Sequence, residues 1–442
     1  MSKEKKIQES SSWYNFLRNI VDINLRLSYR NLKYIGTERI PKDGAVIYAP
    51  NHTGTLMDAL VILAMNRKPK VFIARADIFK KPMLAKMFKF FKIMPIMRMR
   101  DGFEEVKKNN KTIETAVDVL KDKVPLCIFP EGTHQTKHSL LPLSKGIFRI
   151  ALQAKELMPD TPLYIVPMGI RYGSFFRFRA SARVIIGNPM NVGEFMAQHK
   201  DKTPQELMNI MKKALEDRMK ESIFYIPNNE DYNATKEICA TVSEKQIKQL
   251  DKSARKDKAV LTNVNNMAVK HIEALKENNP ESAERIITLA NEAAEIRKKK
   301  GISLKSVAQQ STLLQIILKL ILLAVTLPYT LLASIFVLPV TVLGITICKK
   351  FKDKAFYNSV RYLMNLLLWP ILMIVYAVTA FVNMPAIWAL VAVLAILPAP
   401  VIAHEIYRYT RLIVSDFELL FSKRLRVKYK EIEKIFFNKE KK

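Results

Sequence analysis

The stretch Ala49-Pro50-Asn51-His52-Thr53-Gly54-Thr55-Leu56-Met57-Asp58 sets a histidine and an aspartate where a short apolar run gives way to a helical pattern. A neutral imidazole, with an ordinary pKa of about 6.5, can take a proton from an alcohol at neutral pH. A carboxylate on its other nitrogen fixes the tautomer and stabilises the imidazolium that forms. On a regular helix six positions turn through about 600°, leaving the two side chains roughly 240° apart, so the pairing requires a non-helical segment between them. Gly54 makes such a segment feasible. Three further stretches carry chemistry. Met94-Pro95-Ile96-Met97-Arg98-Met99-Arg100 ends in two arginines, whose planar forks suit phosphate. Cys127-Ile128-Phe129-Pro130-Glu131-Gly132-Thr133-His134 runs from an apolar strand pattern into a loop with an acid, a glycine and two polar side chains, and Lys145-Gly146 opens a helix whose amino end could meet an anion. Ile165-Val166-Pro167-Met168-Gly169-Ile170 ends another apolar run, suited to a groove wall or to core.

The elements that must hold these residues follow from the apolar pattern. Runs at 45–49, 71–74, 125–129, 163–167 and 183–186 read as buried strands, and helical patterns around 60–65 and 113–120 alternate with them. Such alternation predicts an α/β fold, a mostly parallel sheet flanked by helices, with its chemistry in the loops beyond the strand ends. A helix with Thr203 as cap, Pro204 at its first position and Glu206 completing a capping box closes this domain.

In this order and at these spacings, the four stretches resemble the motifs of the glycerolipid acyltransferase superfamily, the lysophosphatidic acid acyltransferase or PlsC-like enzymes. The resemblance covers about 40–191. Asn51-His52…Asp58 looks like the family's Asn-His-x4-Asp, Pro95-Ile96-Met97-Arg98 like its second motif, Phe129 to His134 like Phe-Pro-Glu-Gly-Thr-Arg, and Val166-Pro167 like its fourth. Two departures stand out: an extra residue lies between His52 and Asp58, and His134 replaces the third motif's arginine. The resemblance implies transfer of a fatty acyl group from acyl-CoA or acyl-ACP to a hydroxyl of glycerol 3-phosphate or a lysophospholipid such as lysophosphatidate. His52 and Asp58 would be catalytic. Arg98, Arg100, Glu131, Gly132, Thr133, His134 and Lys145 would bind substrate, with Arg98 preferred over Arg100 in the second motif. The thioester is a co-substrate and no bound cofactor is expected. The variant third motif leaves open another lipid acceptor, such as a lipid amine, a glycolipid or a lysophospholipid under remodelling. A non-catalytic, membrane-tethered lipid-binding scaffold is the alternative from outside the enzymes.

The rest of the chain points to a membrane. It has 442 residues and a formal charge of +30, from 71 Lys+Arg against 41 Asp+Glu, which calls for an anionic partner: lipid surfaces, coenzyme A and acyl carrier protein all qualify. The basic residues are spread along the chain with no nucleic-acid motif, so nucleic acid is not expected. Cys127, Cys239 and Cys348 fit neither a disulfide framework nor a paired-cysteine metal site, and no metal is expected. No charge falls in 320–348 or 362–403, both longer than the ~18 apolar residues that suggest a membrane helix. Asn383-Met384-Pro385 marks a turn in the second, read as a hairpin. The first is either one tilted span or a re-entrant loop. Basic clusters flank every apolar stretch, and if all are cytoplasmic the first must dip and return, so the re-entrant form is preferred. The start of the chain has no long apolar core or cleavage site, which keeps the head on the cytoplasmic face of an integral membrane protein.

The resulting division is an amphipathic N-terminal helix region (1–36), an acyltransferase α/β domain (37–225), a polar helical connector (226–311), membrane-embedded helices (312–412) and a basic C-terminal tail (413–442). Apolar residues recur at helical spacing from Trp13 to Tyr34, for a helix lying in the lipid surface or packed on the head. The connector has a helix opened by Asn279-Pro280 and ended at Gly301. The sequence fixes no oligomeric state.

Overall fold

A computed structural model describes residues 6–97, 109–251, 253 and 258–437. The chain divides into two units, one of residues 1–223 with 343–370, the other of 224–342 with 371–442.

The first unit is built on an eight-stranded mixed sheet: β1 (Tyr29–Ile35), β2 (Ala45–Pro50), β3 (Val71–Arg75), β4 (Ile93–Ile96), β5 (Leu126–Cys127), β6 (Leu163–Tyr172), β7 (Ala180–Ile186) and β8 (Met190–Asn191). The spatial order is β1-β7-β6-β2-β5-β3-β4, with β8 on β6. All pairs are parallel except β6 with β7 and β6 with β8. The sheet is buried on both faces, which is why its central strands read as unbroken apolar runs. In β2, Ala45, Ile47 and Ala49 enter one core, while Val46 and Tyr48 enter the other, the period of two that a pleated strand imposes.

Among the described residues, eight helices accompany the sheet: α1 (Ser12–Ser28), α2 (Leu56–Leu63), α3 (Pro82–Phe90), α4 (Asn109–Lys121), α5 (Gly146–Leu157), α6 (Val192–Gln198), α7 (Pro204–Ser222) and α8 (Phe356–Leu363). α4 to α7 supply the core on one face; α1, α2 and α8 supply the other. The expected capping box of α7 is formed, with Thr203 Oγ1 accepting from the Glu206 N–H and Glu206 accepting from the Thr203 N–H.

One boundary differs from the sequence reading. The helical pattern expected to reach Tyr34 stops at Ser28, and residues 29–35 become β1, paired in parallel with β7. β1 is an edge strand, so its outer positions need not be apolar, and Arg30 and Lys33 erase the alternation that would reveal it. α1 packs on the head through Tyr14, Arg18 and Leu25, while Trp13, Phe16, Ile20, Ile23 and Leu27 stay exposed.

The second unit is helical. Tyr232–Gln249, Lys258–Asn278 and Pro280–Lys299 share a core with Lys423–Phe437, which buries Leu425, Tyr429, Ile432 and Phe436. The expected basic tail is therefore part of a bundle: the apolar residues at 425, 429, 432 and 436 make one helical stripe beneath its lysines and arginines. Asn279 caps its helix by accepting from the Ser282 N–H, and Gly301 follows the helix end at φ +65°.

Two helices among the described residues, Leu313–Lys349 and Phe356–Asn383, are long and apolar enough to cross a membrane. The return expected within 320–348 is not formed, because Leu313–Lys349 is one helix of 37 residues, roughly 55 Å, with Pro328 and Pro339 inside it. A helix satisfies its own backbone groups, whereas a reversal would leave several unpaired in lipid, and each proline removes only one bond. The second helix ends at Asn383, where the turn was expected, and the chain continues through Ala386–Ile396 and Ala399–Phe421, which meet at 43°.

Candidate active site

β2 and β5 are parallel neighbours, with Tyr48 opposite Cys127, so the loops leaving their carboxyl ends emerge side by side. The strand order changes direction at β2, where a crevice forms in open α/β sheets. The first loop carries His52, and the second carries Glu131 and His134.

Thr55, at φ 52°, supplies the non-helical step that the His52–Asp58 spacing demands, and α2 begins at the next residue. Asp58, fully buried in the first turn of α2, turns back on its own loop. Its Oδ2 lies 2.7 Å from His52 Nδ1 and accepts the Thr53 and Gly54 N–H groups, each at 2.7 Å. Its Oδ1 accepts the Tyr172 hydroxyl at 2.7 Å. Burial raises the Tyr172 hydroxyl well above its ordinary pKa, which keeps it a donor. The carboxylate thus faces four donors, and the start of a helix favours its charge. An ionised Asp58 fixes the proton of His52 on Nδ1 and leaves Nε2 as the free, basic nitrogen. The imidazole stacks on Phe129 at 4.4 Å between ring centres and keeps 19% of its side chain exposed, enough for a substrate to reach.

Glu131 ties the two loops together. Its Oε1 accepts the His52 N–H at 2.7 Å and its Oε2 the Leu141 N–H at 2.8 Å. Burial pushes its carboxyl up to about 7 despite those two bonds. Both oxygens are engaged with backbone, so Glu131 shapes the site before it can touch a substrate. Gly132 sits at φ +64°, a conformation that glycine adopts without strain, and its N–H closes on Phe129 O. Thr133 is half-buried beside it. The base of this loop is closed by Ser144 N–H on Pro130 O at 2.7 Å, and Lys145 stands next, at the amino end of α5. Arg98 and Arg100 lie outside the described residues. Asn51 anchors the first loop to β6, accepting the Ile170 N–H at 2.6 Å and donating to Ile170 O at 3.2 Å.

His134, in place of an arginine, meets the edge of the His52 ring at 5.6 Å and bonds Asp353 through Nε2 at 2.8 Å. Asp353 and Ser359 belong to the segment 343–370, and Ser359 Oγ lies 2.9 Å from Thr55 Oγ1. No sequence motif points to Asp353, Ser359 or Tyr172 at this place. Tyr172 carries the faintest of signals, a polar-tipped residue ending a strand that must find a partner when buried.

Residues 31–171 match the family described as Acyltransferase. The match covers less than half of the chain. Among curated proteins, the 1-acyl-sn-glycerol-3-phosphate acyltransferase of Cocos nucifera is 31% identical over 165 residues, covering 37% of this chain and 49% of the relative. Glycerol-3-phosphate O-acyltransferase 2 of Saccharomyces cerevisiae is 30% identical over 125 residues, 28% of this chain and 17% of that one. The chain thus spans less than half the length of either relative. The crystal structure of the 1-acyl-sn-glycerophosphate acyltransferase PlsC from Thermotoga maritima is 20% identical, with a TM-score of 0.32, covering 46% of this chain and 78% of that one. The matched segment contains the His52–Asp58 pair, Glu131 and His134, while Asp353 comes from far outside it in sequence.

Proposed function

We propose that this protein moves a fatty acyl group from an acyl thioester, on coenzyme A or acyl carrier protein, to a hydroxyl of glycerol 3-phosphate or a lysophospholipid in glycerolipid synthesis. The observation that carries the reading is the 2.7 Å pairing of His52 Nδ1 with a buried Asp58, which leaves Nε2 as a base beside the loops. His52 Nε2 takes the proton of the acceptor hydroxyl as its oxygen attacks the thioester carbonyl carbon. The tetrahedral intermediate then expels the thiolate, the C–S bond breaks, and the imidazolium returns the proton to sulfur. No acyl-enzyme is required. Asp58 stabilises the imidazolium between these steps. Thr133, His134 and Lys145, with Arg98 and Arg100, are the groups proposed to hold the acceptor's headgroup and the donor's phosphates.

The helices Leu313–Lys349 and Phe356–Asn383 support an integral membrane protein whose lipid substrates arrive from the bilayer. The lysine clusters beside them favour a head on the cytoplasmic face. The +30 charge suits anionic lipid and either acyl donor.

The test incubates purified full-length protein with labelled acyl donors and a panel of glycerol 3-phosphate, lysophosphatidate and other lyso-lipids, with products identified by mass. His52→Ala should abolish transfer while the protein stays membrane-bound. Near-normal turnover by that variant ends the general-base assignment.

A further inference from the structure

The segment joining the two long apolar helices returns to the catalytic loops. Asp353 Oδ2 bonds His134 Nε2 at 2.8 Å, while its Oδ1 accepts the Ala355 N–H at 2.8 Å, so both oxygens have assigned partners. Burial acts to raise the Asp353 carboxyl, but the Ala355 N–H and His134 outweigh it and hold the group below its ordinary value, which keeps it ionised. The His134 ring is held on two further sides, edge-on to His52 at 5.6 Å and perpendicular to Phe356 at 5.4 Å. With Nε2 committed to the carboxylate, Nδ1 is the free nitrogen of His134, as Nε2 is of His52. The two imidazoles are thus each tethered by one carboxylate and stand next to one another.

Stability alone does not account for this second pair. Asp353 is 48% exposed at its side chain, and an ion pair so open to water adds little to folding. Its effect is instead to orient a ring beside the base that would activate the acceptor.

We propose that Asp353 is a positioning residue for acceptor binding: its carboxylate holds the His134 ring by Nε2–H, and when the ring carries its second proton Nδ1–H donates to the anionic phosphate of the acceptor while His52 takes the hydroxyl proton. This rests on the acyl-transfer reading and deepens it. The segment between the apolar helices thereby helps to set acceptor affinity.

The test uses full-length protein in detergent, with glycerol 3-phosphate and a lysophosphatidate as separate acceptors at saturating acyl donor. Asp353→Asn should raise KM for the acceptor that is used by about tenfold or more, the scale of one hydrogen bond to a charged group, with kcat changed far less. Asp353→Glu should recover most of the loss. In a His134→Arg background, where the fork needs no carboxylate to orient it, Asp353→Asn should change KM by no more than about twofold, since the coupled partner is gone. An active wild type with acceptor KM unchanged in Asp353→Asn overturns the proposal alone; a wild type that acylates no acceptor overturns the acyl-transfer reading and this proposal with it. Nitrogen-15 NMR on labelled histidine gives a readout that does not depend on turnover. The His134 signals, identified by their loss in His134→Gln, should show protonation at Nε2 and shift in Asp353→Asn, and signals that do not move in that variant overturn the tether.

Discussion

Asp58→Asn removes a charge from the His52–Asp58 pair while leaving room for its hydrogen bonds. The three N–H groups of His52, Thr53 and Gly54 converge on Oδ2, each at 2.7 Å, and one hydroxyl, that of Tyr172, faces Oδ1. A carboxamide satisfies this set in one orientation only, with its oxygen toward the three N–H groups and its NH2 donating to the Tyr172 oxygen. The His52 tautomer is therefore preserved, and the variant isolates the charge. At about 4 Å and an effective dielectric near 20, a unit charge stabilises the imidazolium by about 4 kcal/mol. That is about a 10³-fold loss in kcat. A flipped amide that imposed the wrong tautomer would cost about 10⁴-fold instead. The assay is thiol release at saturating donor and acceptor, with thermal unfolding as a control for structure. A kcat within about tenfold of wild type refutes the idea that Asp58 acts through its charge on His52.

Three further outcomes follow from the geometry. Tyr172→Phe strips one donor from Asp58 in a fully buried setting, so the variant should lose about 1–3 kcal/mol in denaturant unfolding and show a reduced kcat, and unchanged values in both would remove Tyr172 from the network. Glu131 is pushed up to about 7, so between about pH 4.5 and 7 the folded chain binds its proton more tightly than the unfolded one, and stability falls as pH rises through that window. Glu131→Gln should abolish that slope, worth about 3 kcal/mol across the window, and a wild-type-to-variant difference that stays constant with pH contradicts it. In the helical unit, Lys319 Nζ lies 2.6 Å from Oδ2 of the fully buried Asp416, so Lys319→Met should cost about 3–5 kcal/mol by leaving that buried oxygen with the Ser311 hydroxyl and no countercharge. Adding Asp416→Leu should recover most of that loss in thermal unfolding, and a Lys319→Met protein of wild-type stability would show the pair to be idle.

The sequence carried the parts of the site that depend on local order. His52 and Asp58 lie six positions apart just past the end of a strand, and the buried strands that aim them are apolar runs with no competing pattern. Even the demand for a non-helical step between the two residues was legible, and Thr55 meets it. What escaped was set by distance and by solvent. Asp353 is 219 positions from His134, in a lysine-rich linker that reads as a cytoplasmic anchor for apolar helices. β1 was hidden because an edge strand can be polar on one side, and Arg30 and Lys33 mimic a helix face. The helix Lys423–Phe437 was mistaken for a tail because its charges outnumber the four residues that bury it. Glu131 looked like a substrate contact by its place in a motif, and only coordinates reveal that both oxygens are committed to backbone.

Because α8 fills part of the core behind β2, the order of synthesis matters. By the time residue 223 leaves the ribosome all eight strands exist, yet Tyr362, whose hydroxyl donates to Val21 O, has not been made. The same is true of Asn358, which donates to Tyr29, and of Ser359 beside Thr55. More than a hundred further residues, including a complete apolar helix, must be translated before those places are taken. A ribosome-bound chain paused before that point should hold a sheet without its finished loop after β2, so the proposed acyl transfer would begin only after the first long apolar helix has been made.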